Sequence, residues 1–250
     1  MLDPFVTQDW VDAHRNELVL ADVRFPTDGR SGREHYESGH LPGAVYIDLE
    51  SVLSDPRPDA STGRHPLPGP ARFARDLGEV GIGDGDTVVA YDDAGGVIAA
   101  RLVWMLRALG HEAALLAEPR LEALERGPGQ ARARTVRRPK PWPADRLARI
   151  DEVAALPPGV TLVDARPAER FHGGPDPFDP RSGHIPGAIN APARDNPERV
   201  LNDLRAVVCY CGSGVTACYD LLVAERLGVP GRLYPGSWSE WSRDPTRPVA

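Results

Sequence analysis

All three cysteines of the chain, Cys209, Cys211 and Cys218, fall in the stretch CYCGSGVTACYDLL (209–222). Such a cluster could hold a metal, form a disulfide, or carry one reactive thiol with two bystanders. Zinc asks for four ligands, commonly in C-x2–4-C pairs. The first pair here is C-x-C, whose side chains face opposite sides of a strand. An odd, local set of cysteines is not a secreted disulfide framework. Cys211 is different in its setting, because Gly212 and Gly214 follow it. A strand ending at Tyr210 and a helix opening over Gly214, Val215 and Thr216 put Cys211 at the carboxyl end of a strand. Open α/β sheets bind ligands there. The glycines allow successive N–H groups to turn inward, and the helix N-terminus adds to that nest. Such a cradle favours a thiolate, and so a nucleophilic sulfur. Cys209 is then a small core residue. Cys218 packs inside the helix, with a redox partner of Cys211 as its minor reading. A cysteine phosphatase would need an arginine at the sixth residue after Cys211, and that residue is Ala217.

The elements that must position this loop occur twice. LVLADVR (18–24) reappears as VTLVDAR (160–166), and SGHLPGAVYIDL (38–49) as SGHIPGAINAPA (182–193). TVVAYDDAGGVIAARL (87–102) reappears as AVVCYCGSGVTACYDL (206–221). Three matched blocks in one order indicate a duplicated domain, not a short solenoid repeat. Strands are expected over 18–23, 87–91, 113–116, 161–164 and 206–210, and helices over 70–80, 97–109 and 215–227. Ile98, Leu102, Met105, Leu106 and Leu109 mark the buried face of the second helix. Short apolar strands alternating with helices argue for an α/β fold, each domain a mostly parallel sheet covered on both faces. Expected boundaries are an N-terminal domain over 1–120, an Arg/Pro-rich linker over 121–145 and a C-terminal domain over 146–250.

Composition narrows the partners. Net charge is −7 and apolar content 41%, so the whole molecule offers no electrostatic reason to bind nucleic acid or an anionic membrane. Arg120 to Arg149 carries nine basic against three acidic residues, but Pro and Gly interrupt the run and a solvated linker is the better reading. Lys140 is the only lysine, which leaves almost no candidate for a phosphate-loop or Schiff-base lysine. The opening MLDPFVTQDW lacks the pattern of a signal peptide, and no stretch of about 18 apolar residues suggests a membrane span. A reducing cytoplasm fits best.

The motifs GHLPGA and GHIPGA, DAR (164–166), CGSGVTAC (211–218) and YPGSWSEW (234–241), in that order, resemble the two-domain rhodanese-type sulfurtransferases. Within them the likeness is to the branch that uses 3-mercaptopyruvate. The resemblance runs from about Leu18 to Trp241. It implies two rhodanese-like folds, the first catalytically silent, in keeping with DDAGGVI (92–98) where the second half has CGSGVT. It implies transfer of a sulfur atom from a small-molecule donor, 3-mercaptopyruvate or else thiosulfate, through a persulfide on Cys211. The acceptor would be cyanide, a small thiol or a thioredoxin-like protein. A persulfide carrier or redox sensor with poor turnover is the alternative outside enzymes. No metal and no cofactor are expected. Arg170, in AERFHG, matches the arginine that binds the donor's anionic end, and Arg181 is an approximate match to a second one. Ser213, His65 and Asp48 match a set that moves the proton at the donor's keto group. A local turn role competes for either first-half residue. His40 and His184 occur in both halves and are expected to hold the fold. Two departures from the family pattern are the short stretch 191–205 and LLAEPR at the end of the first half, where a glycine pair is usual.

Overall fold

The computed structural model describes residues 1–26, 30–56, 62–122, 124–129 and 131–250. The chain forms two compact units, Met1–Asp55 with Pro68–Trp142, and Pro56–Leu67 with Pro143–Ala250.

The first unit contains β1 (Leu18–Asp22), β2 (Val45–Tyr46), β3 (Thr87–Tyr91) and β4 (Ala113–Leu116) in the parallel order β2-β1-β3-β4. Its helices are α1 (Gln8–Ala13), α2 (Gly32–Ser38), α3 (Pro70–Glu79) and α4 (Ala100–Ala108). The second unit repeats this order with β5 (Thr161–Asp164), β6 (Ile189–Asn190), β7 (Val207–Tyr210) and β8 (Gly231–Leu233), paired in parallel as β6-β5-β7-β8. Around them run α5 (Ile150–Val153), α6 (Ala168–Phe171), α7 (Glu198–Leu201), α8 (Ala217–Arg226) and α9 (Ser237–Trp241). Each sheet gains a parallel bridge at one edge, Phe5 to Leu115 in the first and Leu147 to Leu233 in the second. The strands read as largely apolar runs because β7 is buried throughout and β1, β3 and β5 are buried apart from their first residues. None of the described helices is long and apolar enough to cross a membrane.

The repeated motifs turn out to be one polar network built twice. Asp22, at the end of β1, pairs with Arg24, whose Nη2 also donates to the Gly39 carbonyl. Tyr91 on β3 donates to Asp22 Oδ2 at 2.7 Å and accepts from the Leu41 N–H. In the second unit Asp164 pairs with Arg166 at 2.7 Å, Arg166 reaches the Gly183 carbonyl, and Tyr210 accepts from the Ile185 N–H. The SGHxPGA loops are thus tied to the strand ends. His40 stacks on Tyr36 and His184 on Phe171, both at 3.8 Å, and each ring Nδ1 lies 2.9 Å from the carbonyl of the residue it stacks on. Both histidines brace these loops.

Three features differ from the sequence expectations. Residues 131–142 of the Arg/Pro-rich run lie on the first unit: Arg132 donates to the Gly81 carbonyl, Arg137 to that of Gly83, and the Thr135 N–H to that of Gly78. The segment 56–67, expected in the N-terminal domain, belongs to the second unit. There the Arg64 N–H donates to Ser239 Oγ, and Gly63 packs against the Gly236 carbonyl. Finally, α4 is not amphipathic. Arg101, Trp104 and Arg107 are buried along with its apolar residues, and the arginines are accommodated by backbone carbonyls of Leu53, Leu2 and Ala113. Ile98 lies before the helix and is only half-buried.

Candidate active site

Cys211 follows β7 directly, and α8 begins six residues later at Ala217. The turn between them is fixed from outside by the YPGSWSEW segment. Trp238 N–H donates to the Cys211 carbonyl at 3.0 Å, and Ser239 N–H to the Gly212 carbonyl at 2.9 Å. Cys211 N–H donates to Ser237 Oγ, which in turn donates to the Tyr234 carbonyl. In a trans peptide the C=O and the following N–H point in opposite directions. Two carbonyls aimed at α9 therefore turn the N–H groups of Gly212 and Ser213 the other way, away from α9. Gly214 has φ +77°, and a Cβ there would stand 2.5 Å from the Pro235 carbonyl oxygen. Conformation and space both demand glycine at this step. Val215 is buried, and Thr216 caps α8 in helical conformation.

The first unit displays what such a turn can hold. At the position matching Cys211 stands Asp92, fully buried. Its Oδ1 accepts N–H bonds from Ala94 and Gly96, both 2.7 Å, and its Oδ2 from Ile98 and Ala99, both 2.8 Å. One carboxylate thus collects four backbone donors at the strand–turn–helix junction. The two loops are not superposable residue by residue: Gly95 and Gly96 both have positive φ, against Gly214 alone in the second loop.

The three thiols are unlike in setting. Cys209 is on β7, fully buried, and burial pushes its thiol well up, so it is inert as a nucleophile. Cys218, inside α8, donates its thiol to the Gly214 carbonyl at 3.4 Å. Cys211 alone sits on the turn, and no disulfide joins any of them.

Of the other residues singled out in the sequence, four groups meet at this turn. His65 Nδ1 lies 2.8 Å from Ser213 Oγ. Gly212 faces the guanidinium of Arg170, whose Nη2 and Nη1 would lie 3.5 and 3.6 Å from a Cβ on that glycine. Arg170 is held by Asp176 through Nε at 3.1 Å and Nη2 at 2.6 Å. Two residues are placed otherwise. Asp48 accepts from Tyr46 Oη at 2.8 Å and from the Ser51 N–H at 2.7 Å. Burial would raise its pKa, but these bonds outweigh it and hold the carboxyl below its ordinary value. That is the turn-capping role. Arg181 donates to the carbonyls of Ser242, Arg247, Trp241 and Asp244. Its guanidinium pins the C-terminal segment and is not directed at the Cys211 turn. An arginine that sequence reasoning missed stands there instead. Arg64 Nη2 would be 3.1 Å from a Cβ on Gly212. The signal was its neighbour, His65, since only the fold carries 62–67 to this turn.

A family model described as "Rhodanese-like domain" matches residues 7–118 and 147–244. A Pseudomonas aeruginosa protein named as a probable 3-mercaptopyruvate sulfurtransferase is 39% identical, over 94% of this chain and 92% of its own. A Mycobacterium tuberculosis protein, provisionally named thiosulfate sulfurtransferase SseB, is 38% identical over 93% and 90%. Among solved structures, SseA from Escherichia coli, described as a 3-mercaptopyruvate sulfotransferase, superposes with a TM-score of 0.77. It is 28% identical and covers 95% of this chain and 99% of that one.

Proposed function

Because the chain belongs to the rhodanese-like family of sulfurtransferases, we propose that Cys211 is its sulfur-carrying nucleophile and 3-mercaptopyruvate its donor. The observation that carries this reading is the pair of matched turns. Where the first unit places a carboxylate on four backbone N–H groups, the second places a thiol. Counted from Cβ, the outer sulfur of a cysteine persulfide is as far along the side chain as an aspartate Oδ. A turn of this kind therefore suits an anionic persulfide as its sister turn suits Asp92.

The thiolate of Cys211 attacks the donor's sulfur. An S–S bond forms, the C–S bond breaks, and its electron pair leaves as the enolate of pyruvate. The enolate takes up the proton carried in on the mercapto group, so the products are pyruvate and the Cys211 persulfide. An acceptor thiolate, from a small thiol or a thioredoxin-like protein, then attacks the outer sulfur and releases Cys211 as thiolate. Cyanide can take the same sulfur. Arg170 binds the donor's carboxylate, for which a guanidinium fork is suited. Ser213, hydrogen-bonded to His65, moves the proton at the keto oxygen. Gly212, Gly214, Val215 and Thr216 shape the cradle. Thiosulfate is the competing donor, favoured by the name of the mycobacterial relative. Its leaving group, sulfite, is a dianion, and the two residues after Cys211, Gly212 and Ser213, are neutral, so mercaptopyruvate is the better fit.

Mass spectrometry after donor treatment tests the assignment. A single persulfide on Cys211 is expected, lost in Cys211→Ser and kept in Cys209→Ser and Cys218→Ser. Persulfide on Cys218 with Cys211 unmodified would overturn it. A parent enzyme whose kcat/KM favours thiosulfate would replace the donor.

A further inference from the structure

The loop after α6, GGPDPFDP (173–180), lays three side chains on the arginine pair at Gly212. We propose that Asp179 is a resident counter-anion of the donor site: its carboxylate joins Arg64 and Arg170 in the donor-free enzyme and is exchanged for the donor's carboxylate on binding. This rests on the reading of Arg170 as the donor's carboxylate site beside Cys211.

The geometry distinguishes Asp179 from its neighbours. Its Oδ1 accepts from Arg64 Nη1, and Arg64 also reaches the Phe178 carbonyl at 3.4 Å. Its Oδ2 stands 3.6 Å from Arg170 Nη2 and makes no hydrogen bond. One carboxylate therefore bridges two guanidinium groups, which is the arrangement a donor carboxylate would seek. The Asp179 side chain is fully buried, whereas those of Arg64 and Arg170 keep 24% and 20% of their surface exposed. The Phe178 ring lies over both guanidinium carbons, at 5.4 and 5.6 Å, and is itself exposed. The cations keep part of their surface exposed, whereas the acid between them keeps none.

Charge decides which acid leaves. Arg64 and Arg170 against Asp176 and Asp179 give a balanced cluster. A donor carboxylate entering it adds a negative charge in a poorly solvated place unless one aspartate gives way. Asp176 holds Arg170 through two bonds and also lies 3.7 Å from the buried Arg166. Asp179 has one bonded oxygen and one unsatisfied. Burial raises its carboxyl pKa, Arg64 opposes that, and Asp176 adds to the rise. It is the less firmly held of the two. In this picture Asp179 also sets charge selectivity: a balanced cluster offers a dianion no net attraction, whereas two uncovered arginines would.

Steady-state kinetics of Asp179→Asn and Asp179→Ser, with Arg170→Gln alongside, test the proposal. KM for 3-mercaptopyruvate should fall about tenfold in the Asp179 variants while kcat moves less than about twofold. Thiosulfate kcat/KM should rise by a larger factor, and alkylation of Cys211 by uncharged iodoacetamide should be unchanged. A KM that rises or stays put in both would overturn the proposal, leaving Asp179 as a brace for the arginines. If Arg170→Gln leaves donor KM unchanged, the donor-site reading itself fails and the proposal with it. Were both Asp179 variants unable to fold, hydrogen exchange of the native enzyme decides. Peptides over 173–181 should exchange faster with saturating pyruvate, and unchanged exchange overturns the proposal.

Discussion

Replacing Asp92 by alanine isolates the turn's demand for an anion in the copy that has no cysteine. Asp92 is fully buried and accepts four N–H bonds at 2.7–2.8 Å. Bonds to a charged acceptor contribute about 1.5–3 kcal/mol each, and buried donors left bare lose most of that. Ala94 and Ile98 are half-exposed, so water can replace the lost oxygen for them. Gly96 and Ala99 are buried and have no such substitute. Two unreplaced bonds give a loss of about 3–5 kcal/mol, roughly a fifth or more of the stability of an ordinary domain. Asp92→Asn keeps one acceptor oxygen but turns an NH2 toward two donors, and should lose about half as much. A chain of two units need not unfold in one step, so a local readout is preferable. Hydrogen exchange should quicken by two orders of magnitude or more in peptides over 87–102, with peptides over 206–221 as the internal reference. Unchanged exchange over 87–102, or a loss under about 1 kcal/mol, would refute the idea that this turn is built around an anion.

Three further substitutions probe the second turn, a control glycine beyond α8, and α8 itself. Gly214→Ala should lower kcat/KM at least about tenfold and destabilise by about 2–4 kcal/mol, since φ +77° is strained for alanine and Pro235 occupies the space. Gly228→Ala, with φ +73° and open space, should cost only about 1 kcal/mol, and equal effects would discount the steric argument. Asp220→Asn addresses a buried acid on α8. Burial first, then Cys211 and Asp164, push its carboxyl well up, so the folded chain holds on to the proton at a pH where the unfolded chain ionises. The unfolded state then binds fewer protons, and stability falls as pH rises above about 4, by up to about 1.4 kcal/mol per unit until folded Asp220 ionises. Parent and Asp220→Asn should have equal urea midpoints near pH 4 and diverge above it in favour of the variant. A pH-independent gap would show that Asp220 is charged in the fold.

The sequence disclosed the parts that depend on local pattern. β3, β4 and β5 match the short apolar runs residue for residue, because a strand buried on both faces needs nothing but apolar side chains. The duplication was visible because Asp22, Arg24 and Tyr91 recur as Asp164, Arg166 and Tyr210, and a network of that kind tolerates few replacements. Illegible were β2 and β6, two residues each, which exist as strands only through their pairing with β1 and β5. Equally hidden were contacts that chain crossing creates. Arg64 comes to Gly212 across 148 positions of sequence, the same separation as His65 from Ser213. Arg181 shows the converse error: an arginine near the expected place is drawn instead to four C-terminal carbonyls. Residue type and spacing could not separate a guanidinium aimed at a site from one satisfied by backbone.

The two copies differ at more than the residue that ends the strand. Arg101 and Asp220 occupy the same step of α4 and α8, each nine residues after Asp92 or Cys211, and both are fully buried. The first copy holds a carboxylate on four N–H groups, and a permanent buried cation on the following helix is compatible with it. On the proposed reading the second copy holds an anion that changes through the cycle, from thiolate to persulfide and back, with a charged donor arriving and leaving. A fixed buried charge on α8 would bear on every one of those stages, because little solvent is present to relax around it. Burial and its acidic neighbours push the Asp220 carboxyl well up, toward the uncharged form, so that helix disfavours a fixed charge near the sulfur. Charge management is left to groups that can respond: the backbone N–H groups of the turn, the Ser213–His65 pair, and an arginine pair whose own counter-ion is exchangeable. A thiol placed at position 92 alone would inherit a turn shaped for an anion but a helix bearing Arg101, and so would gain only half of what distinguishes the copy that carries Cys211.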